Sequence, residues 1–186
     1  MSHRVCPWWL GYFLASPVRR WLEGDPLEML KPLVREGMTV FEPGPGMGFF
    51  TIPIARLVGS SGRVIAVDVQ SKMIAGLKRR AAKAGLLDRI DARVTSTDTL
   101  KVDDLAGKVD FTLAFAVVHE FPDSNPFFSQ IAMVLKPGAQ LLLVEPRGHV
   151  DDAKFALELK AAAAESLAVI GHPAIKRSHS ALLLKK

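Results

Sequence analysis

Short apolar runs alternate along the chain with longer stretches in which apolar residues recur every three or four positions. The short runs are β-branched or almost wholly apolar, a pattern that predicts buried strands, whereas the longer stretches predict amphipathic helices. The predicted strands are Met38–Glu42, Gly62–Val69, Ile90–Thr95, Val109–Val118 and Gln140–Glu145. The predicted helices are Phe49–Val58, Ser71–Ala84, Asn125–Leu135, which Lys136-Pro137-Gly138 would stop, and Asp151–Val169.

Two further strands are predicted at the end of the chain, Ala174–Ser178 and Ala181–Lys185, joined by a tight connection. Strands separated by helices imply right-handed crossovers and a mostly parallel sheet. Ligands of such sheets bind outside the carboxyl ends of the strands. The residues that directly follow each strand are therefore the candidates for a functional site.

The composition is that of an ordinary globular domain, with 49% hydrophobic and 23% charged residues in a chain of 186. This length favours one domain over residues 1–186, and the composition excludes disordered and collagen-like chains. The net charge of +5 permits an acidic partner. However, the basic stretch Ser71–Asp91 has no aromatic residue on which a nucleic-acid base could stack, so nucleic acid is an unlikely partner.

Cysteine and histidine usage argues against a metal site or a disulfide. Cys6 is the single cysteine, which excludes an internal disulfide and fits a reducing compartment. The histidines His149, His172 and His179 lack the spacing of metal ligands, so no metal is predicted. Because the chain also has no run of about 20 apolar residues, no transmembrane segment is expected and the predicted location is cytoplasmic.

A glycine-rich loop follows the first predicted strand, with the sequence Glu42-Pro43-Gly44-Pro45-Gly46-Met47-Gly48. Glycine allows a sharp turn and a close approach of backbone to a ligand. Asp68 ends the second predicted strand about 20 residues after the last glycine, the spacing at which a carboxylate accepts hydrogen bonds from a ribose diol. The loop and the acid together predict a site for a nucleoside-containing cofactor.

The spacing of the glycines distinguishes between cofactors. The dinucleotide pattern G-x-G-x-x-G would require glycine where Phe49 stands, and no Lys-Ser or Lys-Thr follows the loop as a phosphate-binding P-loop requires. Glu42 would be unfavourable beside a pyrophosphate but favourable near an amino group or a cationic ligand. The loop therefore argues against an NAD-dependent oxidoreductase, which stays open as an alternative.

At these residues the chain resembles the class I S-adenosylmethionine-dependent methyltransferases, and within them the branch that includes ubiquinone/menaquinone-biosynthesis and arsenite methyltransferases. The loop Glu42–Gly48 is similar to that family's first motif, and Val64–Asp68 to its second. Thr97-Asp98, the segment Asp110–His119 and Leu135–Gly138 resemble later motifs in the family's order. Arsenite is disfavoured as a substrate, because that chemistry resembles one that needs several cysteines.

The resemblance implies a fold and a domain organisation. The expected fold is a Rossmann-like α/β domain with a seven-stranded, mostly parallel sheet, helices on both faces and an antiparallel last strand. Residues 35–186 would form the cofactor-binding core. Residues 1–34, which carry all three tryptophans of the chain, would form an N-terminal helical lid or simply pack on the core.

The resemblance also implies roles for individual residues in binding S-adenosylmethionine. The glycines of the loop would hold the methionine half, Glu42 would lie near its amino group, and Asp68 would bind the ribose. The residues implied as cofactor-binding are Glu42, Gly44, Gly46, Gly48, Asp68, Val69, Gln70, Asp98 and Ala116. Val69 and Gln70 would flank adenine, Asp98 would accept from the adenine amino group, and Ala116 would line the methionine side.

Candidate catalytic residues are His119 and Glu120 after the fourth strand and Tyr12 in the aromatic N-terminal segment. Histidine exchanges protons near neutral pH, although the resemblance also allows a structural role in which His119 holds its loop. Glu145 ends the fifth strand and is a candidate for substrate contact.

The predicted function is methyl transfer by in-line displacement from S-adenosylmethionine to a small acceptor, apolar or aromatic in character. No N/D-P-P-Y/F motif follows the fourth strand, where Ala116-Val117-Val118-His119 stands, which again disfavours nucleic acid as the acceptor. A cofactor-binding pseudo-enzyme that acts through a partner is the second alternative, beside the oxidoreductase.

Overall fold

The computed structural model of the chain describes residues 24–97 and 99–186, and these fall into two compact units, 24–96 and 97–186. Residues 1–23, which hold Tyr12 and most of the predicted lid, lie outside the described residues, as does Asp98. The roles predicted for Tyr12, Asp98 and the lid therefore stay predictions.

The first unit is a layer of three parallel strands with helices. Its elements are α1 (Pro26–Leu30), β1 (Thr39–Pro43), α2 (Thr51–Leu57), β2 (Arg63–Asp68), α3 (Ser71–Lys83) and β3 (Ile90–Val94). Strand β2 is central and pairs in parallel with β1 and β3. It is buried along Val64–Asp68, as its β-branched sequence predicts.

Helix α3 forms because its apolar residues recur at helical spacing and give one buried face. That face carries Met73, Ile74, Leu77 and Ala81. The helix ends at Lys83, and Gly85 follows in the left-handed conformation with φ +67°, which is the usual glycine stop.

The second unit is a mixed sheet with helices. Its elements are β4 (Val109–Phe115), α4 (Ser124–Val134), β5 (Leu135–Pro146), α5 (Asp152–Ala164), β6 (Leu167–Gly171) and β7 (Ser178–Lys185). Strands β4 and β5 pair in parallel, whereas β7 pairs antiparallel with both β5 and β6. Short 3₁₀ turns at Asp103–Leu105 and Val118–Glu120 flank β4.

The predicted fold class is confirmed: the described residues form seven strands, mostly parallel, with β7 antiparallel, in a Rossmann-like arrangement with helices. No helix among residues 24–97 and 99–186 is long and apolar enough to cross a membrane.

The C-terminal elements correct the sequence prediction at two places. The helix predicted to reach Val169 ends at Ala164, because Ser166 takes a left-handed φ of +62° and the apolar residues after it pair with β7 as strand β6. Residues 174–177 of the strand predicted at Ala174–Ser178 therefore belong to a connection, Ser178 begins β7, and β6 is the sixth strand.

The junction between α4 and β5 also differs from the prediction. Leu135 is already extended, so β5 begins there rather than at Gln140. The pairing of β5 with β4 shifts register between Leu135 and Gln140, where Gly138 has a φ of +78°. The Lys136-Pro137-Gly138 sequence therefore ends the helix as predicted but lies within the strand as an irregularity.

Candidate functional site

The glycine-rich loop leaves the carboxyl end of β1 as a tight turn. Gly44, Gly46 and Gly48 have φ values of +69°, +54° and +86°, a region that favours glycine. A hydrogen bond from the Gly44 amide to the Val67 carbonyl (2.9 Å) ties the loop to β2. Among residues 24–97 and 99–186, no atom lies within 4 Å of a Cβ added at Gly46, so the described part of the chain leaves room for a ligand to approach this backbone.

Helix α3 supports this loop from below. A Cβ at Gly48 would lie 2.5 Å from Leu77 Cδ1, and one at Gly76 would lie 2.8 Å from Met47 Cγ, so both glycines are needed for close packing. Arg80 donates a hydrogen bond to the Met47 carbonyl (2.5 Å), and its burial lowers the pKa of this guanidinium. The support from Gly76 and Arg80 could not be predicted from the sequence, since nothing in the glycine motif points to it.

Asp68 lies at the end of β2, beside the glycine loop. Because β1 and β2 are parallel, with Pro43 opposite Val67, their carboxyl ends meet at one edge. The Asp68 side chain is 9% exposed, and its Oδ1 accepts a hydrogen bond from the Gln70 amide (2.8 Å). Glu42, at the end of β1, is buried. The structure thus brings together Glu42, the three loop glycines, Asp68, Val69 and Gln70.

This arrangement fits an adenosyl cofactor. A carboxylate at the strand end can accept hydrogen bonds from a ribose diol, and the open space at Gly46 lets a ligand approach the backbone closely. The buried carboxylate of Glu42 favours a ligand with a positive group over one with a pyrophosphate. Among the described residues, no group of three or more histidines, cysteines or acids could hold a metal ion.

In the second unit, Glu145 organises the residues that follow β4. It is wholly buried, and its Oε1 accepts hydrogen bonds from the amides of Val117 (3.2 Å) and Val118 (2.8 Å). Its Oε2 is bonded to Nδ1 of His119. Glu145 therefore contacts the loop, which argues against the direct substrate contact expected from the sequence.

The loop itself begins at Ala116, whose φ of +54° is unusual for a residue with a side chain. Such a conformation costs on the order of 1–2 kcal/mol. The Ala116 amide donates a hydrogen bond to the Val144 carbonyl (2.8 Å), which helps to hold this conformation. His119 follows in the 3₁₀ turn and stacks on His149, with ring centroids 5.1 Å apart. Ala116, His119 and Glu120 therefore lie together after β4, as predicted.

The pKa of His119 is raised. Burial works to lower this pKa, but the hydrogen bond and the negative charge of Glu145, with a further contribution from Glu120, outweigh the effect of burial. Lys154 acts in the lowering direction. The imidazolium form of His119 is thus stabilised beside the buried carboxylate of Glu145.

Glu158, on α5, is a third buried group of this cluster and was not identified from the sequence. Its side chain is 3% exposed, and neither carboxylate oxygen has a hydrogen-bond partner among the described residues. Burial, and then the charge of Glu145, raise its pKa from 4.5 to about 7, although Lys154 and His119 act against the increase. A single glutamate in an alanine-rich helix does not indicate from the sequence that its side chain will be buried beside Glu145.

Comparison with known proteins assigns this architecture to a family. Residues 34–178 match a family model described as a methyltransferase domain. The ubiquinone/menaquinone biosynthesis C-methyltransferase UbiE of Hydrogenovibrio crunogenus is 28% identical over 112 residues, which cover 60% of this chain and 43% of that protein. Its counterpart in a Marinomonas species is 30% identical over 112 residues, covering 60% of this chain and 44% of that protein. The chain therefore spans less than half the length of these curated relatives.

The fold is also found among solved structures. A SAM-dependent methyltransferase from Aquifex aeolicus superposes with a TM-score of 0.85 and 22% sequence identity, over 98% of this chain and 100% of that chain. Because the sequence identity is low, this structural similarity establishes the fold alone.

Proposed function

Because the chain belongs to the class I S-adenosylmethionine-dependent methyltransferases, we propose that it is an enzyme that transfers a methyl group from this cofactor to a small apolar or aromatic acceptor. The nature of the acceptor is supported by the curated relatives, which are named as C-methyltransferases of ubiquinone/menaquinone biosynthesis. The single cysteine of the chain supports a reducing compartment such as the cytoplasm.

The observation that carries this proposal is the glycine turn beside Asp68. Gly44, Gly46 and Gly48 would hold the methionine half of the cofactor, because their left-handed backbone leaves open space at Gly46. Asp68 would accept hydrogen bonds from the ribose hydroxyls. Its bond to the Gln70 amide fixes the carboxylate for this purpose.

Roles in cofactor binding are also proposed for further residues, some in the first unit and some in the second. Val69 and Gln70, both half-buried, would flank the adenine, and buried Glu42 would lie near the amino group of the methionine half. For Asp98, a contact with the adenine amino group is proposed from the sequence alone. Ala116 would line the methionine side.

The chemistry requires little covalent assistance from the protein. When bound, the sulfonium of S-adenosylmethionine supplies an already activated methyl group. The task of the chain is to hold the acceptor nucleophile in line with the methyl carbon and to exclude water. Such positioning can lower the activation barrier by about 7–11 kcal/mol. An aromatic lid in residues 1–34, including Tyr12, would serve the second purpose.

The test is formation of S-adenosylhomocysteine from S-adenosylmethionine by the purified chain with a panel of small acceptors. Phenols, naphthols, 1,3-diketones and amines would be compared, with the Asp68→Ala variant as the control. Turnover that depends on an acceptor and is lost in the variant supports the proposal. If no acceptor of a wide panel raised S-adenosylhomocysteine formation above the level of the variant, the result would favour a protein that binds the cofactor without catalysis.

A further inference from the structure

The hydrogen bonds of Glu145 fix the protonation of the His119 ring. An ionised carboxylate has only acceptor sites, and Glu145 uses Oε1 for the Val117 and Val118 amides and Oε2 for Nδ1 of His119. In a neutral His119 the ring proton must therefore lie on Nδ1, which leaves Nε2 as the basic nitrogen. No hydrogen bond to Nε2 is found among the described residues, and the side chain is 16% exposed.

A buried carboxylate on one ring nitrogen, with the other nitrogen available, is the arrangement by which enzymes orient a histidine base. The carboxylate fixes the tautomer and stabilises the imidazolium that forms when a proton is accepted. Here the carboxylate is wholly buried and is itself held by two backbone amides, so its position does not depend on mobile side chains.

Other titratable groups face this pair from neighbouring parts of the second unit. Glu120 comes from the same 3₁₀ turn, Glu158 and Lys154 from α5, and His149 stacks on the ring. Glu158 matters most, because a second buried negative charge would repel Glu145. In its neutral form Glu158 leaves Glu145 as the buried carboxylate that carries the negative charge facing the imidazole.

We propose that His119 is the general base of the methyl transfer, that Glu145 is the residue that positions it, and that the acceptor is one that loses a proton, namely a hydroxyl or an activated carbon acid. This inference rests on the proposed function and narrows its acceptor class. His119 thereby acts as a catalytic residue, whereas Glu145 acts through it.

Methyl transfer with His119 as the base moves one methyl group and one proton. The acceptor oxygen or carbon forms the new bond to the methyl carbon, while the bond from that carbon to sulfur breaks and its electron pair stays on sulfur. The proton of the acceptor goes to Nε2 of His119. The imidazolium, stabilised by Glu145, then releases this proton to water, and the products are the methylated acceptor and S-adenosylhomocysteine.

The first test measures the tautomer and needs no acceptor. Long-range ¹H–¹⁵N spectra of the full chain, labelled at histidine and assigned with a His119→Gln variant, report which ring nitrogen carries the proton above the pKa of His119. We expect Nδ1–H in the wild type and a titration above the ordinary value of about 6.5. In Glu145→Gln the amide group would present donors as well as an acceptor, so the Nδ1–H form should lose its preference and the pKa should fall.

Glu158→Gln is the matched control for these spectra. It makes the same chemical change in the same cluster but leaves Glu145 intact, so Nδ1–H should persist. An Nε2–H tautomer in the wild type, or a Glu145→Gln spectrum identical to that of the wild type, would overturn the inference.

Kinetics with an acceptor found in the panel add a readout that a purely structural role would not change. We expect kcat/KM to rise with pH through the titration of His119, and Glu145→Gln to lower kcat about 10²–10⁴-fold with little change in the KM for the cofactor. An unchanged kcat in that variant, or a tertiary amine as the preferred acceptor, would contradict the role of His119 as general base. If the proposed function is wrong, the chain should not bind the cofactor. The tautomer measurement needs no cofactor, so the two failures can be told apart.

Discussion

Replacing Glu158 with glutamine removes a buried carboxyl that titrates in the neutral range. The side chain is 3% exposed, and its pKa is raised from 4.5 to about 7, first by burial and then by the charge of Glu145. The folded protein therefore binds this proton more tightly than the unfolded chain does. A group of this kind lowers stability as the pH rises from its unfolded pKa toward its folded pKa.

The size of the effect follows from the two pKa values. Ionisation of the Glu158 carboxyl in the unfolded chain favours unfolding by about 1 kcal/mol at about pH 5.5. At about pH 8.5 it favours unfolding by about 3 kcal/mol. Glutamine does not titrate, so any cost of burying its amide is the same at both pH values. The free energy of unfolding of Glu158→Gln relative to wild type should therefore rise by about 2 kcal/mol between these pH values.

The assay is urea unfolding followed by far-ultraviolet circular dichroism, at matched ionic strength and at several pH values across this range. Glu36→Gln is the control, because Glu36 is exposed and the substitution removes the same formal charge. Its stability relative to wild type should change little with pH. A stability difference for Glu158→Gln that is constant with pH, or that shrinks as the pH rises, would refute the reasoning.

Three further predictions concern the glycine loop and the strand end beside it. Asp68→Ala should weaken S-adenosylmethionine binding in calorimetry by about 1.5–3 kcal/mol, the worth of hydrogen bonds to a charged group, and an unchanged affinity in a folded variant would count against the ribose contact. Gly46→Ala and Gly85→Ala should each lower thermal stability by on the order of 1 kcal/mol because both positions have positive φ, but only Gly46→Ala should abolish cofactor binding; equal affinities would show that the loop does not approach the ligand. Arg80→Met should lower cofactor affinity by releasing the Met47 carbonyl, whereas Arg79→Met, at an exposed neighbour, should not; equal effects would mean that charge rather than the hydrogen bond matters.

The strands and the glycine turn could be predicted because their signals are local. β-Branched runs give β2 and β3 within a residue or so of their ends, and Gly44 to Gly48 form the turn that their spacing requires. The positions of Asp68 and Gln70 beside that turn follow from parallel pairing of β1 with β2.

Features that depend on tertiary packing could not be predicted in the same way. The left-handed Ser166 ends α5 in a sequence whose alanines favour a helix, and pairing with β7 then makes β6 a strand. Likewise, the burial of Glu145 and Glu158 arises from the packing of the second unit. Neither residue belongs to a local motif that would indicate a partner for His119.

The central claim is that the glycine turn and Asp68 bind S-adenosylmethionine. It is tested most directly by calorimetric titration of the full chain with S-adenosylmethionine, S-adenosylhomocysteine and NAD in parallel. The predicted result is micromolar binding of the first two and no binding of NAD. Binding of NAD alone would contradict the account, and so would a folded chain that binds none of the three.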